Sequence, residues 1–140
     1  MIFGSSCLSR PMVCLLILML FADSSKATYD TFRWQHTRES MLPGDCNNVM
    51  RTINNRARSC KDSNSFIVST ELKIEEICQG EGVSRGEMTL SKKTFRIVLC
   101  KLEPRARYPD CQYKGSVLTN RKLLVKCESR LPVHFHGDRN

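Results

Sequence analysis

Apolar residues recur at helical spacing in three segments between residues 31 and 78. The segment 31–38 predicts a short helix with Phe32, Gln35 and His36 on one side. A second helix is predicted after Asp45, a residue type that caps helix N-termini, and a third after Ser69 or Thr70. The stripe of the second helix is Cys46, Val49, Met50 and Ile53, and that of the third is Leu72, Ile74, Ile77 and Cys78.

Beyond residue 90 the pattern changes to short runs rich in β-branched and aromatic residues. Four of them predict strands, at 95–100, 111–114, 122–127 and 133–136. Connections are predicted at 85–87, 107–110 and 120–121. Helices followed by an antiparallel sheet give the α+β class, and 140 residues allow one domain.

The N-terminal segment 1–27 has the anatomy of a secretory signal. Arg10 precedes an apolar run over residues 12–22, which is too short to span a bilayer, and small residues follow. A membrane anchor is the alternative interpretation. We expect cleavage after Ala27 or nearer Ala22, a secreted extracellular domain over residues 28–140, and no stable membrane insertion.

Cysteine usage agrees with an extracellular chain. Cys7 and Cys14 fall in the signal segment, and an even number remains, which predicts three disulfides in a small secreted domain. Zinc is disfavoured because no C-x-x-C pair exists and no cysteine lies at finger spacing from a histidine. Six cysteines allow about fifteen pairings, and spacing alone does not choose among them. The six are Cys46, Cys60, Cys78, Cys100, Cys111 and Cys127.

The formal net charge is +8, and +7 remains without the signal segment, which holds Arg10, Asp23 and Lys26. An excess of this size favours polyanion partners such as RNA, heparin-like glycans or anionic bacterial surfaces. The basic clusters at 56–58 and 92–93 are either solvated faces or phosphate-binding patches, whose binding would weaken with salt.

Few residues offer catalytic chemistry. His36 and His134 lie near opposite ends of the secreted domain, and they are either surface residues or an acid–base couple. His134 and His136 would share one face of a strand, but two histidines alone rarely hold a catalytic metal. No phosphate-binding glycine loop, serine elbow or H-E-x-x-H motif occurs. We expect no metal and no cofactor.

Four local motifs resemble one family. The segments are 32–36 (FRWQH), 60–66 (CKDSNSF), 108–113 (YPDCQY) and 131–135 (LPVHF). Together they resemble the pancreatic-type ribonucleases of the ribonuclease A superfamily, over nearly the whole secreted domain. Six cysteines make the chain most similar to the angiogenin branch and its fish members. The resemblance implies three helices packed on a bent antiparallel sheet, with disulfides Cys46–Cys100, Cys60–Cys111 and Cys78–Cys127.

The same resemblance implies roles for individual residues in RNA cleavage. His36 would be the general base, His134 the general acid and Lys61 the cation that stabilises the charged transition state. The supporting set would be Gln35 and the Phe135 backbone N–H on the phosphate, Asn64 beside the site, and Ser65 on the pyrimidine edge. The implied activity is metal-independent cleavage 3′ of pyrimidines to a 2′,3′-cyclic phosphate.

Three positions depart from the family pattern. His136 replaces the usual Asp that orients the acid, and when charged it would disfavour charge on His134. Gly137 cannot block the base pocket as a side chain there often does in the angiogenin branch. Thr31 and Trp34 occupy positions that are commonly basic, which implies weaker binding of flanking phosphates. Trp34 either packs in the protein or stacks on a base.

Two other functions remain open at this point. One is a cationic antimicrobial or angiogenic signalling protein with weak or secondary ribonuclease activity, for which ribonuclease inhibitor is a candidate partner. The other is a disulfide-rich module without catalysis. We expect a monomer in each case.

Overall fold

The computed structural model describes residues 28–140, so the predicted signal segment lies outside the described residues. The helices are α1 (residues 28–36), α2 (Cys46–Ala57) and α3 (Glu71–Glu75), with 3₁₀ turns at Pro43–Asp45 and Glu76–Cys78. The strands are β1 (Thr37–Arg38), β2 (Ser63–Val68), β3 (Gly82–Arg85), β4 (Met88–Ser91), β5 (Phe95–Leu102), β6 (Tyr113–Glu128) and β7 (Leu131–Arg139).

The three helices lie where the apolar pattern predicted them, but the first ends at His36, because Thr37 and Arg38, predicted to be helical, pair with β2 as β1. Asp45 does not cap α2: its carboxylate accepts the Leu42 N–H at 2.9 Å and closes the preceding 3₁₀ turn. Thr70 caps α3, since its hydroxyl accepts the Lys73 N–H at 3.4 Å. Leu72, predicted to be apolar core, is 72% exposed because the five-residue α3 turns only Ile74 inward.

The sheet runs in the order β1-β2-β5-β6-β4-β3, and β7 also pairs with β6. All pairings are antiparallel except the two-residue contact of β1 with β2, which is parallel. The first half of β6 pairs with β5, and its second half pairs with β4 and β7. One long strand therefore joins both arms of the bent sheet, and the predicted α+β fold is confirmed.

Several strand boundaries differ from the sequence prediction. The predicted strand 111–114 is confirmed only from Tyr113, and together with the predicted strand 122–127 it belongs to the single strand β6, which also contains the predicted connection at 120–121. Asn120 has φ of 55°, and the pairing register of β6 against β5 shifts there. The polar residues Asn120 and Arg121 therefore mark a β-bulge instead of a turn. The strands β2, β3 and β4 were not predicted.

Two buried clusters fill the space between helices and sheet. One contains Phe32 of α1 and Ile74 of α3 against β5 and β6, and the other contains Met50 and Ile53 of α2 against Phe66 of β2. Each helix therefore buries apolar residues against the sheet, although Leu72 of α3 remains exposed. This packing fixes the C-terminal end of α1 beside β2.

Three disulfides staple these layers, with the pairing that the resemblance implied. Cys46–Cys100 joins α2 to β5, Cys60–Cys111 joins the segments before β2 and β6, and Cys78–Cys127 joins the second 3₁₀ turn to β6. Their Cα–Cα distances are 5.7, 5.5 and 5.7 Å. Each closes a long loop, which is worth about 2–4 kcal/mol of stability.

Candidate active site

His36 ends α1 and is fixed against β2. Its Nδ1 lies 2.9 Å from the backbone carbonyl oxygen of Ser65. A carbonyl oxygen only accepts, so Nδ1 carries the proton of this hydrogen bond. The neutral ring then presents the lone pair of Nε2, which is the form that a general base needs.

The surroundings of His36 oppose its protonation. Burial is the largest cause, and it lowers the pKa of His36 to about 4. The positive charges of Lys61, His134 and Arg38 lower the pKa further, while the hydrogen bond to Ser65 acts in the opposite direction. His36 is therefore neutral at physiological pH and available to accept a proton.

His134 reaches the same region from the C-terminal strand. It lies on β7 opposite Lys126 of β6, and it is exposed. Its neighbour Phe135 contacts His36 with ring centroids 5.1 Å apart. The charge of His134 is one of those felt by His36, so the fold brings the two distant histidines into one electrostatic neighbourhood.

Lys61 is the third charged group of the site. Its Nζ donates to Oδ1 of Asn64 at 2.9 Å, and Nδ2 of Asn64 donates to the Gln35 carbonyl at 2.8 Å. Asn64 is only 3% exposed, so its amide is held firmly between the two partners. Partial burial lowers the pKa of the Lys61 ammonium. The Asn64 amide thus links the cation to the end of α1.

Two residues that the sequence did not single out hold the Lys61 backbone. The Lys61 N–H donates to Oδ1 of Asn54 at 3.0 Å, and the Tyr113 hydroxyl donates to the Lys61 carbonyl at 2.6 Å. Nδ2 of Asn54 also donates to the Tyr113 hydroxyl at 3.0 Å. The available signal was the position of Asn54, a polar residue beside Ile53 on the apolar side of α2.

The remaining predicted site residues lie around these groups. Gln35 lines a groove with Lys61, next to His36 in the chain. Ser65 is half-buried in β2, and its backbone carbonyl accepts the hydrogen bond from Nδ1 of His36. Phe135 pairs with Val125 in the sheet.

His136 is an extra residue in β7, because Phe135 pairs with Val125 while Gly137 pairs with the adjacent Leu124. Gly137 has φ of 131°, a conformation that favours glycine. The rings of His134 and His136 nevertheless lie 6.0 Å apart, so the bulge leaves both imidazoles close together. The part of the site around His134 therefore holds two neighbouring imidazoles.

Within residues 28–140, no group of three or more His, Cys, Asp or Glu side chains is arranged to bind a metal ion. In the same range, no helix is both long and apolar enough to cross a membrane.

Comparisons with known proteins agree with this fold. Residues 27–136 match the pancreatic ribonuclease family model. Ribonuclease-like 3 of Danio rerio is 27% identical over 139 residues, covering 87% of this chain and 93% of the relative. Angiogenin-1 of Bos taurus is 39% identical over 93 residues, which is 64% of this chain and 61% of the relative.

Solved structures give the same result. The structure named RNASE ZF-1A superposes with a TM-score of 0.75 at 31% identity, covering 84% of this chain and 95% of its own. The zebrafish RNase5 structure superposes with a TM-score of 0.74 at 29% identity, covering 82% and 98%. With its family model, its fold and its disulfides in agreement, the chain belongs to the pancreatic ribonuclease family.

Proposed function

We propose that this protein is a secreted endoribonuclease that cleaves RNA on the 3′ side of pyrimidines without a metal or cofactor. The observation that carries the proposal is the state of His36: a neutral imidazole with Nε2 available, beside the cation Lys61 and near His134. The names of the relatives, ribonucleases and angiogenins, support RNA as the substrate class. Secretion rests on the signal-like segment 1–27.

The reaction uses the nucleophile that RNA itself supplies. Nε2 of His36 accepts the proton of the ribose 2′-hydroxyl as its oxygen attacks the phosphorus. The new O2′–P bond forms while the P–O5′ bond breaks, and protonated His134 gives its proton to the departing 5′-oxygen. The products are a 2′,3′-cyclic phosphate and a 5′-hydroxyl end, so atoms and charges balance without an external reagent.

Negative charge builds on the phosphate oxygens during this transfer, and hydrogen-bond donors held in fixed positions lower the energy of the charged transition state. Lys61 supplies the ammonium, which the Asn64 amide holds in place. Gln35 and the backbone N–H of Phe135 are the proposed neutral donors. Because Asn64 also bonds the Gln35 backbone, one amide positions both sides of the phosphate site.

Ser65 is the proposed reader of the pyrimidine. Ser65 pairs with Leu99 of β5, and its backbone carbonyl accepts the hydrogen bond from Nδ1 of His36. The same residue would therefore recognise the pyrimidine and orient the proposed general base. Gly137 offers no side chain that could fill the pocket, and we infer open access for the base.

The first test is direct cleavage of an oligonucleotide that contains one uridine in an otherwise deoxyribose strand. We expect a cut 3′ of the uridine and a 2′,3′-cyclic phosphate end. His36→Ala should abolish it, and His136→Ala is the matched histidine control that keeps the reaction. Equal activity of wild type and His36→Ala, with both folded by circular dichroism, would rule out this mechanism.

A second function is favoured by where the basic residues lie. Arg56 and Arg58 are exposed at the end of α2, and Lys92 and Lys93 form the turn between β4 and β5, where Lys93 faces Glu76 at 3.7 Å. Such clusters suit heparin-like glycans or anionic bacterial surfaces, in a host-defence or angiogenic role that requires little cleavage. Ribonuclease inhibitor is a further candidate partner, and a monomer suffices for each role.

Bacterial killing separates this role from catalysis. If the cationic surface acts by itself, killing survives His134→Ala but falls in the Arg58→Gln/Lys92→Gln double variant. If bacterial killing falls in His134→Ala and persists in the double variant, killing requires RNA cleavage and the second function is wrong.

A further inference from the structure

The C-terminal end of α1, which carries His36, is closed by side chains from the residues that follow it. A helix leaves its last carbonyl oxygens without partners inside the helix. Here the Arg33 carbonyl accepts the Thr37 hydroxyl at 2.7 Å, and the Trp34 carbonyl accepts Nη1 of Arg38 at 2.7 Å. Nη1 of Arg38 also donates to the Thr37 carbonyl at 2.6 Å. Two consecutive residues outside the helix therefore bind its final turn.

Arg38 also joins this helix end to the sheet. Its guanidinium carbon lies 5.1 Å from the centre of the buried Phe66 ring of β2. Its backbone is fixed as well, because its carbonyl accepts the Ser69 N–H at 3.0 Å. Ser65, which precedes Phe66, accepts the hydrogen bond from Nδ1 of His36. Arg38 and His36 therefore contact neighbouring residues of β2, and the position of one ring depends on both contacts.

The charge of Arg38 is not neutralised by a carboxylate in the described part of the chain. The ion pairs formed within residues 28–140 involve other basic residues, namely Arg33, Lys93, Arg121 and Lys126. The Arg38 guanidinium is half-buried, and this burial lowers its pKa. Its partners are carbonyl oxygens at a helix C-terminus and an aromatic face, which both favour a positive charge. The fold therefore keeps this charge in place without cancelling it.

Three charged groups face His36 from separate elements. Lys61 precedes β2, His134 lies on β7, and Arg38 forms part of β1. Each positive charge opposes protonation of the His36 ring, in addition to burial, which is the largest cause of its low pKa. Lys61 and His134 have proposed roles at the phosphate, whereas the contacts of Arg38 are all with the protein. The effect of Arg38 on His36 is therefore present with or without RNA.

We propose that Arg38 is a positioning residue for the proposed general base: it fixes the end of α1 against β2 and thereby directs Nε2 of His36 toward the ribose. Its charge has a second effect, because it favours the neutral ring that accepts the proton. The inference rests on the proposed ribonuclease function, in which His36 is the base. Arg38 touches no reacting atom in this mechanism, so its loss should lower kcat and leave KM nearly unchanged.

Two substitutions separate the geometry from the charge. Arg38→Lys keeps the charge but loses the flat guanidinium that stacks on Phe66 while it donates to the helix carbonyls. Its kcat for a uridine-containing oligonucleotide should fall about fivefold or more, while His36 titrates as in wild type. Arg38→Gln removes the charge as well. Its kcat should fall at least as far, His36 should titrate at higher pH, and the pH below which kcat/KM declines should rise with it.

Proton NMR measures the titration without RNA. The chain contains three histidines, so the His36 ring signal is identified by its loss in His36→Ala. Arg33→Gln is the matched control, because it removes an equal charge from α1 whose guanidinium already pairs with Asp30 and Glu71 at 3.5 Å. We expect this control to keep the His36 titration and kcat of wild type.

Two results would overturn the inference. One is wild-type kcat in folded Arg38→Lys, which would make the contacts of Arg38 merely structural; this variant decides even if Arg38→Gln does not fold. The other is an equal change of the His36 titration in Arg33→Gln and Arg38→Gln, which would reflect net charge alone. The proposed function fails separately: if the wild type cleaves no RNA, catalysis is refuted, and a higher titration in Arg38→Gln alone still shows that Arg38 acts on His36.

Discussion

The two proposed catalytic histidines lie in opposite kinds of surroundings. His36 is largely buried, its tautomer is fixed by the Ser65 carbonyl, and three positive groups oppose its protonation. His134 is exposed on a strand that bulges two residues later, and another imidazole lies beside it. The comparison teaches that the fold holds His36 in the form that the proposed general base needs before substrate arrives, while the proposed acid His134 remains open to change by its neighbours.

The largest effect should come from removing either histidine. His36→Ala and His134→Ala should each lower kcat/KM about 10²–10⁴-fold, because each removes one proton transfer. Steady-state cleavage of a uridine-containing substrate measures it. Comparable losses of kcat/KM in both variants would support an acid–base couple. A full loss in His36→Ala with no loss in His134→Ala would show that His134 has no catalytic role.

Asn64→Ala should give the next largest effect. The change frees the Lys61 ammonium and the Gln35 carbonyl together, so we expect kcat/KM to fall about 10- to 100-fold through misplacement of the phosphate ligands. The loss of two partly buried hydrogen bonds should also cost about 1–3 kcal/mol of unfolding free energy. Measurements of activity and of urea denaturation separate the two effects. Asn55→Ala, at an exposed position of α2, is the control.

His136→Asp should change activity by only a few fold, and upward. A carboxylate beside His134 favours its imidazolium form and can orient the ring, which an imidazole neighbour does not. The ratio of kcat to that of wild type measures the gain at neutral pH. A fall in kcat would show that His136 itself assists the acid side.

The smallest effect concerns pH. Since the pKa of His36 is lowered to about 4, its base form persists well below the ordinary value of 6.5, and kcat/KM should lose little to His36 protonation between those values. Stability behaves differently, because the unfolded chain binds this proton more readily. Unfolding free energy should therefore fall as pH falls from 6.5 to about 4, with a shallower slope in His36→Asn.

The helices and the C-terminal strands were predictable from periodicity alone, since Phe32, Met50 and Ile97 mark faces that must be buried. The strand β2 was not, because Ser63, Asn64 and Ser65 are polar and carry no alternating pattern. Its polar residues lie in the candidate site. Asn64 is buried and makes two side-chain hydrogen bonds, and the Ser65 carbonyl accepts a hydrogen bond from His36.

The candidate site was predicted from its motifs, but its geometry could be described only from the fold. Sequence could place His36 and Lys61 in recognisable blocks, but the links from Asn54 and Tyr113 to Lys61 join three separate elements. No local pattern reports such contacts. The bulge at His136 likewise depends on pairing with β6, and strand periodicity alone did not reveal it.

The Cys60–Cys111 bridge adjoins Lys61 directly, and both sulfur-bearing residues are partly exposed, unlike the buried Cys46–Cys100 pair. A glutathione-rich compartment would reach this bridge first and loosen the ammonium while the core staple still holds. Titration with reductant should then extinguish RNA cleavage before circular dichroism changes. The disulfide framework would thereby restrict the proposed ribonuclease activity to oxidising surroundings and spare the transcripts of the cell that makes the protein.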